Sequence, residues 1–244
     1  MPTVQLPGDY AWACDDADEC WVVYNEVFER RCYDRPDDPI PHGGVIVDVG
    51  AHVGLFALFS TLNWKPSRHI AIEASPPTAG LLRQNVETNG LEQVQVVHAA
   101  VGDTHGTATL TYFPHLPGNS TLHPEVKEAE LAAFGPRSRQ RMKSMFDEGV
   151  PYEVPVKPLG ELLPADLTGR IDLLKVDVES AETAVLRGIS AELWPRIERV
   201  VVEVSHYLTD GLEIVTGLLR DNGLKVSDTG AQSPGITTLV WASR

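Results

Sequence analysis

The sequence predicts a doubly wound α/β fold, one mostly parallel sheet covered by helices on both faces. Three observations carry that expectation. Short apolar, β-branched runs recur along most of the 244-residue chain. They alternate with segments of helical period, and the first run of the core passes through an acidic residue and a glycine turn straight into a helical pattern, VIVDVGAHVGLFALF from Val45. Near-continuous apolar strands separated by helices mark a parallel sheet buried on both sides. With 43% hydrophobic and 22% charged residues, the chain can bury one substantial core.

Residues 1–41 read as an acidic, loop-rich extension packing on that core. Within it CWVVY (20–24) predicts a short strand and NEVFERRCY (25–33) a helix capped by Asn25. RPDDPIPHGG (35–44) then breaks regular structure. A single domain is expected over 42–244, with strands at VIVDV (45–49), HIAIE (69–73), VQVVHAA (94–100), IDLLKV (171–176) and RVVVEV (199–204). Helical period appears at 55–63, 78–89, 181–188 and 211–222. LKVSD from Leu224 and ITTLVWA from Ile236 lie close together and predict an antiparallel edge.

Between TATLTYF (107–113) and YEVPVK (152–157) a charged insertion at about 114–150 interrupts the rhythm, as a surface feature or as a lid. Met142, Met145 and Phe146 share one helical face there ahead of Gly149. Arg137, Arg139, Arg141 and Lys143 alternate by two, which places them on opposing sides of a helix, as a solvated surface or a docking patch.

The formal net charge of −14 repels polyanions, which argues against nucleic acid and anionic membrane as partners. Cys14, Cys20 and Cys32 are odd in number and lack CxxC spacing, so reduced intracellular thiols are expected. No leader pattern and no apolar run of about 18 residues is visible, and a soluble, cytoplasmic protein is expected.

The first turn has the spacing GxxxG, Gly50 to Gly54, in place of the GxGxxG of a dinucleotide loop. In open α/β sheets the ligand lies beyond the carboxyl ends of the strands, where strand order reverses. Gly50 there lets backbone approach a ligand, Gly54 lets the helix pack near the strand, and Asp48 faces the ligand or braces its own turn. Glu73 ends the next strand, placed to accept both ribose hydroxyls. Asp103, after AAVG, either receives an adenine amine or opens the turn GDTHG. His52, Ser75 and Val101 complete the expected ligand shell. Acidic strand ends disfavour a pyrophosphate and suit one ribose, one adenine and a cationic centre, as in S-adenosylmethionine.

DVGAHVG, Glu73, LLRQNVETNGL (81–91), AAVGD and IDLLKVDVESAETAVLRG (171–188) resemble the FkbM family of S-adenosylmethionine-dependent methyltransferases over most of the chain. NEVFERRCY and WPRIERVVVEV (194–204) resemble its bacterial natural-product branch, in which polyketide-type hydroxyls are methylated on oxygen. The resemblance implies the class I methyltransferase, Rossmann-like fold: a seven-stranded, mostly parallel sheet with an antiparallel final hairpin. His52 stands where that family commonly has Asn, and Asp177, Glu179, Ser180 and Glu182 stand for its DxEGxE.

Methyl transfer to an alcohol needs alignment and a general base or a metal that acidifies the hydroxyl. Lys175 and Asp177 point to one side of their strand as an ion pair. Asp177 is expected at the acceptor, as base or metal ligand, or else in a charge set that caps the next helix. Glu203 and His206 end the following strand, and His206 either takes the proton or is a loop histidine. A divalent metal, if used, takes Asp177 and Glu203. YFPHLPGNSTLHP (112–124) resembles a segment that covers the acceptor pocket in relatives; Asn119 and Ser120 there bond the ligand or simply form a turn. The expected reaction is O-methylation of a small-molecule secondary metabolite of polyketide, macrolide or glycoside type. A carrier-protein-bound acyl group is the alternative acceptor, disfavoured by like charge, and an NAD-dependent oxidoreductase is the alternative class.

Overall fold

The computed structural model describes residues 2–133, 135–205, 211–233 and 237–244. The chain opens with the antiparallel pair β1 (Thr3–Leu6) and β2 (Tyr10–Ala13), then α1 (Ala17–Tyr24), which runs on into a π-helical turn at Asn25–Glu29. CWVVY is therefore helix, not strand. Asp16 caps it by accepting the Glu19 N–H at 2.9 Å, and Cys20 and Tyr24 bury themselves four residues apart. Trp21 and Val22, 42% and 58% exposed, occupy the outer face that a strand would have alternated. Asn25 lies inside this helical run, at the C-terminal end of α1, and is not the N-cap expected of it, and the run stops at Glu29 rather than continuing to Tyr33.

The core follows as β3 (Val45–Val49), α2 (Leu55–Asn63), β4 (Arg68–Glu73), α3 (Pro76–Thr88) and β5 (Val94–His98). VQVVHAA divides at Ala99: β6 (Ala100–Val101) leaves the main sheet and joins β7 (Gly106–Tyr112) and β8 (Val150–Lys157) in a small three-stranded one. Between β7 and β8 lie α4 (Pro124–Ala133) and α5 (Pro136–Phe146). Then come α6 (Leu159–Leu162), β9 (Leu173–Val176), α7 (Glu182–Arg187), β10 (Arg199–Ser205), α8 (Gly211–Asp221), β11 (Lys225–Ser233) and β12 (Thr237–Ser243). Ile171 makes only an isolated bridge to Ile197, so β9 is shorter than its apolar run.

The main sheet has seven strands in the order β11-β12-β10-β9-β3-β4-β5. Pairing is parallel from β10 to β5 and antiparallel where β12 meets β10 and β11. Strand order reverses between β3 and β9, which creates the crevice used below. Alternation splits the strands between two layers. Val47, Val49, Ile70, Ile72, Leu174 and Val176 pack with α6, α7 and α8. Ile46, Leu173, Val201 and Trp241 pack with Phe56 and Phe59 of α2. Each such side chain fully buried contributes about 1.5–3 kcal/mol.

The extension belongs to the same body. Trp12 is fully buried in a cluster with Leu55, Leu58 and Leu82. Asn85 of α3 accepts the Ala13 N–H at 2.7 Å and donates to the carbonyls of Ala13 and Val53 at 2.8 and 2.9 Å, clasping β2 and the turn after β3 together. In the insertion Phe113 meets Phe146 edge-on. Of its basic residues, Arg139 donates to the carbonyls of Leu131 and Ala132, while Lys143 pairs with Asp147 at 2.7 Å. The side chains of Arg137 and Arg141 are outside the described residues. Among the described residues no helix is long and apolar enough to cross a membrane.

Candidate functional site

At the carboxyl ends of β3, β4 and β9 lies a cavity of about 490 Å³, within the range of roughly 300–1,000 Å³ usual for small-molecule sites. The turn after β3 forms its floor. Gly50, at φ +83°, is pressed so closely on β9 that a Cβ would stand 1.7 Å from the Asp177 carbonyl oxygen. No other residue fits there. The N–H groups of Gly50 and Ala51 donate to the Ile72 carbonyl at 2.9 and 3.0 Å, folding the turn back over β4. His52, Glu179 and Ser180 hold left-handed backbone conformations around the same crevice, a concentration of strain typical of functional sites.

Glu73 ends β4 with both carboxylate oxygens engaged: Oε2 accepts the His52 N–H at 2.9 Å and Oε1 the Ser75 N–H at 2.8 Å. Burial raises its carboxyl above the ordinary value against the pull of those two donors. Each oxygen keeps further acceptor capacity toward the cavity. Residues 99–101, including Val101, continue the wall beside Glu73.

Asp48 does not reach the cavity. It is fully buried behind the wall, 3.0 Å from Lys175 Nζ and 3.5 Å from His69 Nε2. The register explains this, since Asp48 and Lys175 are direct partners on adjacent strands and share the face toward α2. Burial opposes the charge of Asp48, but Lys175 and His69 outweigh it and hold the carboxyl below its ordinary value. Burial also works against Lys175, yet Asp48 and Asp177 hold its ammonium above the usual lysine range. Lys175 Nζ further donates to the Gly50 carbonyl at 3.0 Å, stands 3.4 Å from Asp177 and lies 5.2 Å above the Tyr33 ring.

Three more expected ligand residues stand outside the lining. Gly54, at φ +92°, accommodates Leu82 of α3, whose Cδ1 a Cβ would meet at 2.6 Å. Ser75 is buried at the start of α3, its hydroxyl accepting from Thr78 at 2.9 Å. Asp103 is solvent-exposed. The structure thus brings Gly50, His52, Glu73, Val101, Asn119, Ser120, Lys175, Asp177 and Glu203 to one cavity and leaves Asp48, Gly54, Ser75 and Asp103 outside it. His206 lies outside the described residues.

On the β9 and β10 side, Asp177 keeps 29% of its side chain exposed. Tyr33, delivered by the extension, donates its hydroxyl to Asp177 at 3.0 Å and lies 3.5 Å from Glu203. Burial first, then the neighbouring Asp177 charge, pushes the Glu203 carboxyl far above its ordinary value. Among the described residues no group of three or more His, Cys, Asp or Glu side chains is arranged to hold a metal ion.

The insertion closes the cavity through a buried ion cluster. Lys127 of α4 reaches Glu179 at 2.7 Å, Glu130 at 3.0 Å and the Asn119 side-chain oxygen at 3.1 Å. Thr121 donates to the Glu179 carbonyl, and the Ser120 hydroxyl accepts the Phe113 N–H at 3.2 Å. Asn119 and Ser120 therefore line the cavity while holding its cover together. Glu182 accepts the Ser180 N–H at 2.9 Å and fixes that turn from behind; burial pushes its carboxyl up to about 8.

Glu19, Tyr33 and Lys127 were not among the expected site residues. The sequence does carry one signal for the first: Asp16 followed three positions later by Glu19 is a helix-start pattern, which places Glu19 in the first turn of α1. Tyr33 and Lys127 have no such local mark, because long-range packing brings them in.

Residues 48–225 match the model of the methyltransferase FkbM domain. Methyltransferase sdnD of Sordaria araneosa is 34% identical over 238 residues, spanning 93% of this chain and 90% of the relative. The 31-O-demethyl-FK506 methyltransferase FkbM of Streptomyces tacrolimicus is 32% identical over 235 residues, spanning 93% and 90%. The crystal structure of methyltransferase FkbM from Methylobacillus flagellatus KT superposes with a TM-score of 0.55 at 16% identity. That match covers 90% of this chain and 47% of the solved one, so this chain spans about half of it. The likeness is one of fold, the Rossmann-like class I methyltransferase fold expected from the sequence.

Proposed function

The chain belongs to the FkbM methyltransferase family, and from that premise we propose that it transfers a methyl group from S-adenosylmethionine to a hydroxyl of a small-molecule secondary metabolite. The observation that carries the reading is the acidic lining of the cavity wall. Glu19, Glu73, Asp177 and Glu203 converge on it, burial raises the carboxyls of Glu19, Glu73 and Glu203, and the lysine at the wall, Lys175, is already committed to Asp48 and Asp177. Buried carboxyls without enough cations ionise most readily beside a positively charged ligand and least readily beside a pyrophosphate. This counts against the nicotinamide reading.

The residues fit the donor in order along the wall. Glu73 is proposed to receive the ribose hydroxyls and residues 99–101 the adenine. When bound, S-adenosylmethionine supplies a methyl on a sulfonium whose departure is already activated by charge. The chain's own work is to align the acceptor and to take its proton. Asp177 suits the role of proton acceptor, because it is partly exposed to the cavity and Lys175 and Tyr33 fix its position. Through the Tyr33 hydroxyl it is joined to Glu203, whose carboxyl burial and the Asp177 charge push well above its ordinary value, so an arriving proton meets a hydrogen-bonded set. Transfer to oxygen is supported by the name of the Streptomyces relative, which specifies a demethylated oxygen.

Calorimetry with S-adenosylmethionine, followed by mass spectrometry of a panel of hydroxylated polyketides and glycosides, tests the reading. S-adenosylhomocysteine release with the gain of one methyl on the acceptor is expected. Absence of S-adenosylmethionine binding would overturn it.

A further inference from the structure

Glu19 is a carboxyl in the wrong surroundings for a structural residue. Its side chain is 10% exposed, lines the cavity and projects from α1, outside the sheet that holds the rest of the floor. Oε1 accepts the Gly118 N–H at 2.9 Å, and Oε2 stands 3.6 Å from His52 Nε2. Burial first pushes its carboxyl up to about 8; the Gly118 N–H opposes this, and the charges of Asp16, Asp15 and Glu179 add to the rise. The charges that act on it most strongly are of its own sign. His52 is no counter-ion, because burial holds its ring down at about 4 and leaves it neutral near pH 7. The Nε2 atom of that ring is itself buried without a hydrogen-bond partner.

Two independent features, a buried carboxyl facing mainly like charge and an orphaned ring nitrogen, therefore meet at one corner of the cavity. The first suits a cation and the second a hydrogen-bonding group, and an ammonium is both. The corner has a definite place along the wall. The Ala99 N–H donates to the Glu73 carbonyl at 3.2 Å, the Glu73 side chain accepts the His52 N–H at 2.9 Å, and Glu19 lies beyond the His52 ring. A ligand with adenine at residues 99–101 and ribose at Glu73 brings its third part to Glu19.

Resting on the S-adenosylmethionine reading above, we propose that Glu19 is the anionic partner of the α-ammonium at the amino-acid end of the methyl donor, with the His52 ring as its neighbour in that subsite. The extension then does more than cover the core. It supplies a ligand contact that the sheet lacks, and it occupies the position next to the residue where this chain has His in place of the Asn common in its family.

The test separates the amino-acid end from the nucleoside. Glu19→Gln keeps the shape and the acceptor for Gly118 but removes the charge. Binding of S-adenosylhomocysteine, which carries the ammonium and no sulfonium, is compared by calorimetry with binding of 5′-methylthioadenosine, which lacks the amino-acid end. The variant is expected to lose about tenfold or more in affinity for S-adenosylhomocysteine and to stay within about twofold for methylthioadenosine. Retained methylthioadenosine binding also shows that the variant is folded. Equal losses for both ligands, or no loss for either, overturn the assignment of Glu19. If the unaltered protein binds neither ligand, the donor reading itself fails.

Discussion

Glu73 and Asp48 are both carboxylates near the carboxyl ends of neighbouring strands, and the pleat separates their fates. Asp48 lies one residue inside β3 and faces α2, whereas Glu73 is the last residue of β4 and turns into the cavity. Glu73→Ala is expected to weaken S-adenosylhomocysteine binding by about 1.5–3 kcal/mol, the loss of charge-assisted bonds, or roughly ten- to more than a hundredfold by calorimetry. Unchanged affinity would remove Glu73 from the ligand shell. Asp177→Asn should spare that binding and lower turnover by roughly 10²–10⁴-fold, the usual weight of general-base catalysis; equal loss of both would move Asp177 to the donor side. The residues legible in the sequence, Glu73, Lys175 and Asp177 above all, sit at strand ends, where alternation fixes direction. Asp48 was legible in place but not in role, because only the pairing with β9 shows that Lys175 claims it. Glu19, Tyr33 and Lys127 arrive from segments whose docking no local pattern encodes.

At the scale of elements, the strands and helices of the core were readable because long apolar runs and helical periods agree with their burial. The α1 segment misled because CWVVY is β-branched and aromatic, and the Asp16 cap together with packing against α2 overrides that preference. The insertion was readable as helical but not as fastened. Lys127, nearly buried, joins α4 to the turn after β9 through Glu179 and to its own next turn through Glu130. Lys127→Met keeps the bulk and strips the buried Glu130 and the partly exposed Glu179 of their cation, a change that costs up to about 3–5 kcal/mol where such pairs are fully buried. Hydrogen exchange should show α4 opening faster while β3 and β4 keep their protection. Equal acceleration in the sheet would mean that Lys127 supports the whole fold and not the cover.

At the scale of the molecule, the raised carboxyls make a prediction about acidity. Glu19 and Glu182 have folded values of about 8 against ordinary values of 4.5. A carboxyl raised on folding stabilises fully below its unfolded value and loses that contribution as pH climbs through the folded one. Asp48 is shifted the other way, so its contribution is present above its ordinary 3.8 and is lost only as pH falls through its lowered folded value. Between about pH 5 and about pH 8 the ligand-free protein should therefore lose stability, reinforced by the self-repulsion of a chain at −14. Scanning calorimetry should record a fall in Tm on the order of 5–10 °C across that window; a rising Tm would contradict the burial of these groups. Architecture and acidity also meet at Gly50. Because its backbone rests directly on the Asp177 carbonyl, the floor of the cavity has no spare thickness there. The cavity cannot be enlarged at that point without displacing the turn after β9. Redesign of the cavity is therefore best directed at the side chains that the extension and the insertion contribute to it, such as Val22, Val23, Leu116 and Met145.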